Sequence, residues 1–179
     1  MSLWVFGYGS LLWKPEFTPE ESAVARLDGW HRSFCMSSIH YRGTPEVPGL
    51  VLALDAAPGA SCTGLALRAA PRDEAMVLDM LRKRELISDA YVEMRLPLTL
   101  SDGREVEALT YVINRQTAQY VHLDLEEQAR KIARASGPMG SNADYLLNTA
   151  SHLQGLGLAD PDLDWLSRRV QTLMHESDS

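Results

Sequence analysis

Apolar and polar positions follow two different rhythms along this chain, and the change falls near its middle. Leu3 to Tyr8 is an unbroken apolar run, the pattern of a strand buried on both faces. Ser22–Leu27, His31–Ser37, Leu50–Asp55 and Cys62–Arg68 follow as short strands. Glycine and proline signals at Asp28-Gly29, Arg42-Gly43-Thr44-Pro45, Pro48-Gly49 and Pro58-Gly59 separate them. Pro71 then opens a helix, with Arg72, Asp73 and Glu74 in a first turn that suits proline and acidic side chains. It carries Val77, Leu78, Leu81 and Glu85 and breaks near Ser88-Asp89. Tyr91–Leu100 and Glu105–Ile113 return to strand around Ser101-Asp102-Gly103, whose Asp-Gly marks a hairpin. Three helices, about Leu125–Ala135, Asn142–Leu153 and Asp162–Met174, complete the chain. Gly137-Pro138-Met139-Gly140 and Gly155-Leu156-Gly157 set them apart.

Strands with one inserted helix, then a helical part from about residue 125, make an α+β pattern rather than a doubly wound sheet. The expectation is a partly closed, mixed barrel with helices outside it. At 179 residues the chain has room for one domain with a real core, expected over 1–179. Its formal net charge of −7 and pI near 5.2, without a run of Lys or Arg, argue against nucleic acid or an anionic membrane as partner. No apolar stretch nears the roughly 20 residues of a membrane span, and Met1-Ser2-Leu3-Trp4 lacks the basic lead-in of a secretion signal. With Cys35 and Cys62 read as buried thiols rather than a disulfide, the expected location is the cytoplasm.

Two features carry candidate chemistry. Gly7-Tyr8-Gly9-Ser10-Leu11 directly follows the first strand, and such a loop brings backbone N–H groups close to an anion. It is not a dinucleotide fingerprint, since Leu12 takes the third glycine position, nor a P-loop, since no Gly-Lys-Ser/Thr follows. A glycine turn that merely ends a strand is an equal alternative. Glu85 is the second feature. At about 100° per residue it falls within the arc that Val77, Leu81 and Leu78 turn toward the core. A buried carboxylate there becomes a better base at neutral pH. An ion pair with Arg82 or Arg84, or an early end to the helix, are the competing readings. The five histidines and two cysteines show no metal spacing, so no metal is expected. Ser10 lacks the hydrolase elbow. Met76 and Met80 read as core filling, Asn142 as a helix N-cap and Tyr145 as core packing.

Trp4-Val5-Phe6-Gly7-Tyr8-Gly9-Ser10-Leu11-Leu12-Trp13-Lys14-Pro15 resembles the opening of the ChaC-like γ-glutamylcyclotransferases. Tyr41-Arg42-Gly43-Thr44-Pro45, Pro48 to Leu54, Cys62-Thr63-Gly64, Arg84-Glu85 with Tyr91, Ala108 to Val112 and Asn142 to Leu146 recur in the family's order. The resemblance reaches from Trp4 to about Leu147 and implies a small mixed β-barrel with peripheral helices, the γ-glutamylcyclotransferase-like fold. It implies a lyase that cleaves glutathione to 5-oxoproline and cysteinylglycine without a cofactor. It also implies that Tyr8, Gly9, Ser10 and Leu11 receive the γ-glutamyl group, that Glu85 is the general acid/base, and that Tyr91 lends a pocket hydroxyl. Arg42 is a separate candidate, a clamp for the glycine carboxylate of glutathione or else a solvated loop arginine. Other γ-glutamyl amino acids or amines as substrates, and a non-enzymatic module regulating cation transport, are the alternatives. The oligomeric state is not legible.

Overall fold

Eighteen residues of strand run without interruption from Glu21 to Ser38, and twenty more from Gly49 to Arg68. The computed structural model describes residues 2–86 and 88–177, so Met1 and the last two residues of the expected 1–179 domain lie outside it. Two compact units make up the chain, interleaved in sequence. The first takes residues up to Ser33 and Ala53–Thr117; the second takes Phe34–Leu52 and the described residues from Ala118 onward.

The first unit carries a barrel. β1 (Trp4–Gly7), β2 (Glu21–Ser38), β3 (Gly49–Arg68), β4 (Tyr91–Leu100) and β5 (Glu105–Ile113) close it in the order β1-β3-β2-β4-β5, with β3 also meeting β5. β2 and β3 run on into the second unit. β1 is antiparallel to β3, with Trp4 opposite Arg68, and parallel to β5, with Trp4 opposite Ala108. The sheet is therefore mixed, as expected. Asp102-Gly103 does turn the β4–β5 hairpin, with Gly103 at φ +92°. After a 3-10 turn at Pro71–Asp73, α1 (Glu74–Glu85) lays Val77 and Leu81 into a cluster with Leu3, Val5, Leu11, Leu109 and Tyr111. Each such side chain, fully buried, contributes about 2 kcal/mol of transfer free energy. Glu74 Oε1 accepts from the N–H of Leu3 at 3.0 Å and ties the start of the helix to the start of β1.

In the second unit α2 (Leu125–Arg134), α3 (Asn142–Gly155) and α4 (Pro161–Ser177) pack on one another, and β6 (Ser136–Gly137) pairs with β7 (Gly140–Ser141). Asp124 caps α2 and Ser141 caps α3, each side chain accepting from an N–H three residues on.

Three expectations are corrected. Asp28-Gly29 and Pro58-Gly59 do not separate strands: Gly29 (φ +88°) and Gly59 (φ +84°) lie inside β2 and β3, so four expected short strands are two long ones. A left-handed glycine within a strand is a bulge or bend as readily as a turn. Asn142 is not the N-cap, since Ser141 takes that place. Met76 is 60% exposed, whereas Met80 packs against the core. Cys35 and Cys62 are buried thiols that form no disulfide, as read from sequence.

Candidate active site

The glycine loop sits where β1 leaves the barrel. A Cβ on Gly7 would lie 3.0 Å from Leu11 Cβ and 3.3 Å from its carbonyl carbon, so the missing side chain lets the loop fold back on the strand. Leu11 is buried in the barrel cluster and anchors that fold. The Gly9 carbonyl accepts from Leu12 N–H at 2.9 Å, and the Ser10 carbonyl accepts from Lys14 N–H at 2.7 Å. Among the described residues, none accepts from the N–H groups of Gly9, Ser10 or Leu11. These three consecutive amides, without an acceptor among the described residues, lie at the start of the 3-10 turn Ser10–Leu12, donors available as a cradle for an anion or an oxyanion.

Tyr8 is turned the other way. Its hydroxyl donates to the Tyr111 carbonyl at 2.6 Å, and its carbonyl accepts from Arg32 Nη1 at 3.1 Å. Both bonds are buried and fix the loop to the barrel. Tyr91, at the head of β4, sets its ring edge-on to Tyr111 with centroids 6.4 Å apart.

Glu85 is the last residue of α1, one turn beyond the buried Leu81, and its side chain is only 13% exposed. Burial pushes its carboxyl up to about 6, against a weaker downward pull from Arg84 and a further upward push from Glu16. The helix C-terminus, the negative end of the macrodipole, acts in the same direction as burial. Among the described residues, no N–H or O–H donates to this carboxylate at hydrogen-bond distance. Its one close cation is Arg84 Nε, 3.4 Å from Oε1. Arg82, the other expected partner, forks onto Glu93 instead, with Nε–Oε1 and Nη2–Oε2 both 3.0 Å.

The two carboxylates are thereby driven apart. Arg82, assisted by the Tyr111 hydroxyl at 3.0 Å, holds Glu93 below the ordinary carboxylate range. Glu85, desolvated by burial and with only the Arg84 cation close by among the described residues, lies above it. Opposite displacement of two acids that both act on Tyr111 is how a fold separates a fixed anion from a working base. Burial, then Glu93 and Glu85, pushes Tyr111 upward and keeps its phenol protonated.

Arg84 connects base and loop. Its Nη2 donates to Ser10 Oγ at 2.6 Å and its Nη1 to the Lys14 carbonyl at 2.7 Å, with Glu16 Oε2 3.6 Å from Nη1. Glu85 and Ser10 are thus separated by the width of one guanidinium. Sequence reading named Arg84 only as a motif neighbour or ion-pair partner. The adjacency Arg84-Glu85 was the available signal, but its contact to Ser10 spans 74 positions.

Arg42 belongs to the second unit and is not a solvated arginine. It is buried; Nη1 donates to the Ser141 carbonyl at 3.1 Å and the guanidinium lies 5.6 Å from the Tyr145 ring centroid. Burial lowers its proton affinity.

Comparison with known proteins falls in the same direction. A family model described as ChaC-like protein matches residues 3–173. A glutathione-specific γ-glutamylcyclotransferase of Escherichia coli (strain K12) is 39% identical over 177 residues, 98% of this chain and 75% of that one. γ-Glutamylcyclotransferase 2-3 of Arabidopsis thaliana is 31% identical over 99% of this chain and 93% of its own. Among solved structures, a yeast γ-glutamyl cyclotransferase specific to glutathione superposes with a TM-score of 0.89 at 23% identity, covering 98% of both chains. At that identity the likeness speaks for the fold.

Proposed function

The chain belongs to the ChaC-like protein family, and from that premise we propose that it cleaves glutathione to 5-oxoproline and cysteinylglycine with Glu85 as general acid/base. The observation that carries the mechanism is the buried, donor-free carboxylate of Glu85 one guanidinium away from a loop of open amides.

Glutathione contains its own nucleophile. The γ-glutamyl α-amine closes a five-membered ring on the γ-carbonyl, so no serine or cysteine attack is needed. At neutral pH that amine is an ammonium ion and cannot attack. Glu85, with its carboxyl at about 6, is mostly ionised at pH 7 and still basic enough to take the proton. The amine adds to the carbonyl carbon, and the carbonyl oxygen gathers negative charge in the direction of the cradle amides. The C–N bond to cysteine then breaks: the Glu85 carboxyl returns its proton to the departing nitrogen, and the ring nitrogen sheds its second proton, which the released amine takes up to leave as an ammonium ion. Gly9, Ser10 and Leu11 supply backbone donors to the γ-glutamyl group, and Tyr8 holds that loop from the barrel side. Tyr91, edge-on to Tyr111, lends the site a hydroxyl. Folding the substrate into its ring-closing conformer is an orientation effect of the intramolecular kind. The reaction calls for neither metal nor organic cofactor.

Arg42 remains proposed as the clamp for the glycine carboxylate, its planar fork suiting a carboxylate. The reduced thiols Cys35 and Cys62 suit a reducing compartment, and we place the reaction in the cytoplasm. Among the described residues no helix is long and apolar enough to cross a membrane.

Release of 5-oxoproline from glutathione and from γ-glutamylalanine, by wild type and Glu85→Gln, tests the proposal. Turnover of glutathione that falls at least ~10²-fold in Glu85→Gln supports it. Wild type inactive on glutathione, or a fully active Glu85→Gln, overturns it. A preference for γ-glutamylalanine would move the substrate to other γ-glutamyl amino acids.

A further inference from the structure

We propose that Arg84 is a positioning residue for this reaction: one guanidinium holds base and loop in register and turns the Ser10 hydroxyl into a donor toward the γ-glutamyl group. The proposal rests on the functional reading above.

A guanidinium has N–H donors and no acceptor. At 2.6 Å from Arg84 Nη2, the Ser10 oxygen is therefore the accepting partner. Its own O–H must point elsewhere, and among the described residues nothing accepts it. A hydroxyl that already accepts from a cation is also the stronger donor, because each bond polarises the next. Ser10 thus presents an aligned O–H beside the open amides of Gly9, Ser10 and Leu11, a fourth donor aimed by Arg84.

The same plane reaches the chain on its other side. Nη1 donates to the Lys14 carbonyl, and Glu16 follows two residues later with φ +66°, the sole non-glycine residue at positive φ among those described. That conformation costs roughly 1–2 kcal/mol outside glycine, and Arg84 faces both the Lys14 carbonyl and the Glu16 carboxylate that the turn presents. Lys14 Nζ, 4.0 Å from Glu16 Oε1, shares in holding that turn, and backbone strain kept beside a reacting group is a mark of pre-organisation. The third edge, Nε, stands by Glu85. Lysine, a point charge on a flexible stem, cannot serve these edges together.

The test measures kcat and KM for 5-oxoproline release from glutathione, with melting temperatures, for wild type, Arg84→Ala, Arg84→Lys, Ser10→Ala and the Arg84→Ala/Ser10→Ala double variant. Each alanine variant should lose about 10²-fold in kcat/KM. The double should fall no more than about threefold below Arg84→Ala, since both remove the same hydrogen bond. Arg84→Lys should fold and still lose at least about tenfold. The acidic limb of kcat/KM should move upward in Arg84→Ala: the cation favouring ionised Glu85 is gone, while Glu16 from the loop after β1 and Tyr111 from β5 still face it. A merely structural role would lower the melting temperature and leave that limb in place. Losses that multiply in the double variant, or an unmoved limb, overturn the proposal. If Arg84→Ala does not fold, Arg84→Lys with wild-type kcat/KM overturns it. An inactive wild type would instead sink the functional reading itself.

Discussion

The side-chain amide of Asn142 pairs with both backbone groups of Leu50: its Oδ1 accepts from the N–H and its Nδ2 donates to the C=O, each at 2.7 Å. The pair mimics a neighbouring strand at the edge of β3, and Asn142 is 0% exposed. Asn142→Ala orphans two buried backbone groups and should cost about 3 kcal/mol. Asn142→Asp keeps the acceptor alone and should also destabilise, since a buried carboxylate cannot donate to Leu50. Urea unfolding of the three proteins checks both; a loss under 1 kcal/mol on the same scale would remove the strand-mimic account.

Glu85→Gln should make the protein more stable and less active at once. A carboxyl that binds its proton more tightly folded than unfolded stabilises the fold below the ordinary value of 4.5, and that contribution is lost as pH rises through about 6. Above that, the ionised group costs about 2 kcal/mol relative to a solvated one. Thermal melts should show Glu85→Gln above wild type at pH 7.5, with the difference closing near pH 4.5. Equal melting temperatures at both pH values would mean that the carboxylate is not desolvated.

The acidic limb of wild-type kcat/KM should fall near pH 6, where Glu85 takes up its proton. Glu16 pushes that carboxyl upward, so Glu16→Gln should move the limb to lower pH. A shift to higher pH would show that Glu16 does not act on Glu85 by charge.

Arg42→Ala bears on substrate choice. Loss of the Ser141 carbonyl's donor and of the Tyr145 contact should lower the melting temperature, by about 1–2 kcal/mol of stability. A clamp on the glycine carboxylate adds a second effect, a raised KM for glutathione with little change for γ-glutamylalanine. An unchanged KM for glutathione leaves Arg42 a structural arginine.

Where a residue's state is set by near neighbours in the chain, it was legible in the sequence. The apolar run of β1, the α1 arc that buries Glu85 and the Asp102-Gly103 hairpin are all local patterns. Asp28-Gly29 was misread because the same dipeptide serves a turn at 102–103 and a bend inside β2; only strand pairing distinguishes them. Pro58-Gly59 failed likewise. Asn142 looked like a cap because cap residues and strand mimics share one side-chain chemistry, and Leu50, the partner that decides between them, is 92 positions away. Arg84 was visible but mute for the same reason: its meaning lies in Ser10 and Lys14, contacts that periodicity cannot report.

Leu11 sends its side chain into the barrel cluster while its amide stays open to the site. Reactive group and letter of the alphabet are thus decoupled at this position: what Leu11 offers the ligand is common to every amino acid, and what varies is hidden from it. Swapping Leu11 for another compact hydrocarbon side chain should be nearly silent, whereas a charged replacement should wreck the loop from behind. The leucine that closes this short signature is therefore a record of steric fit, written by the wall that carries the loop rather than by the reaction taking place in front of it.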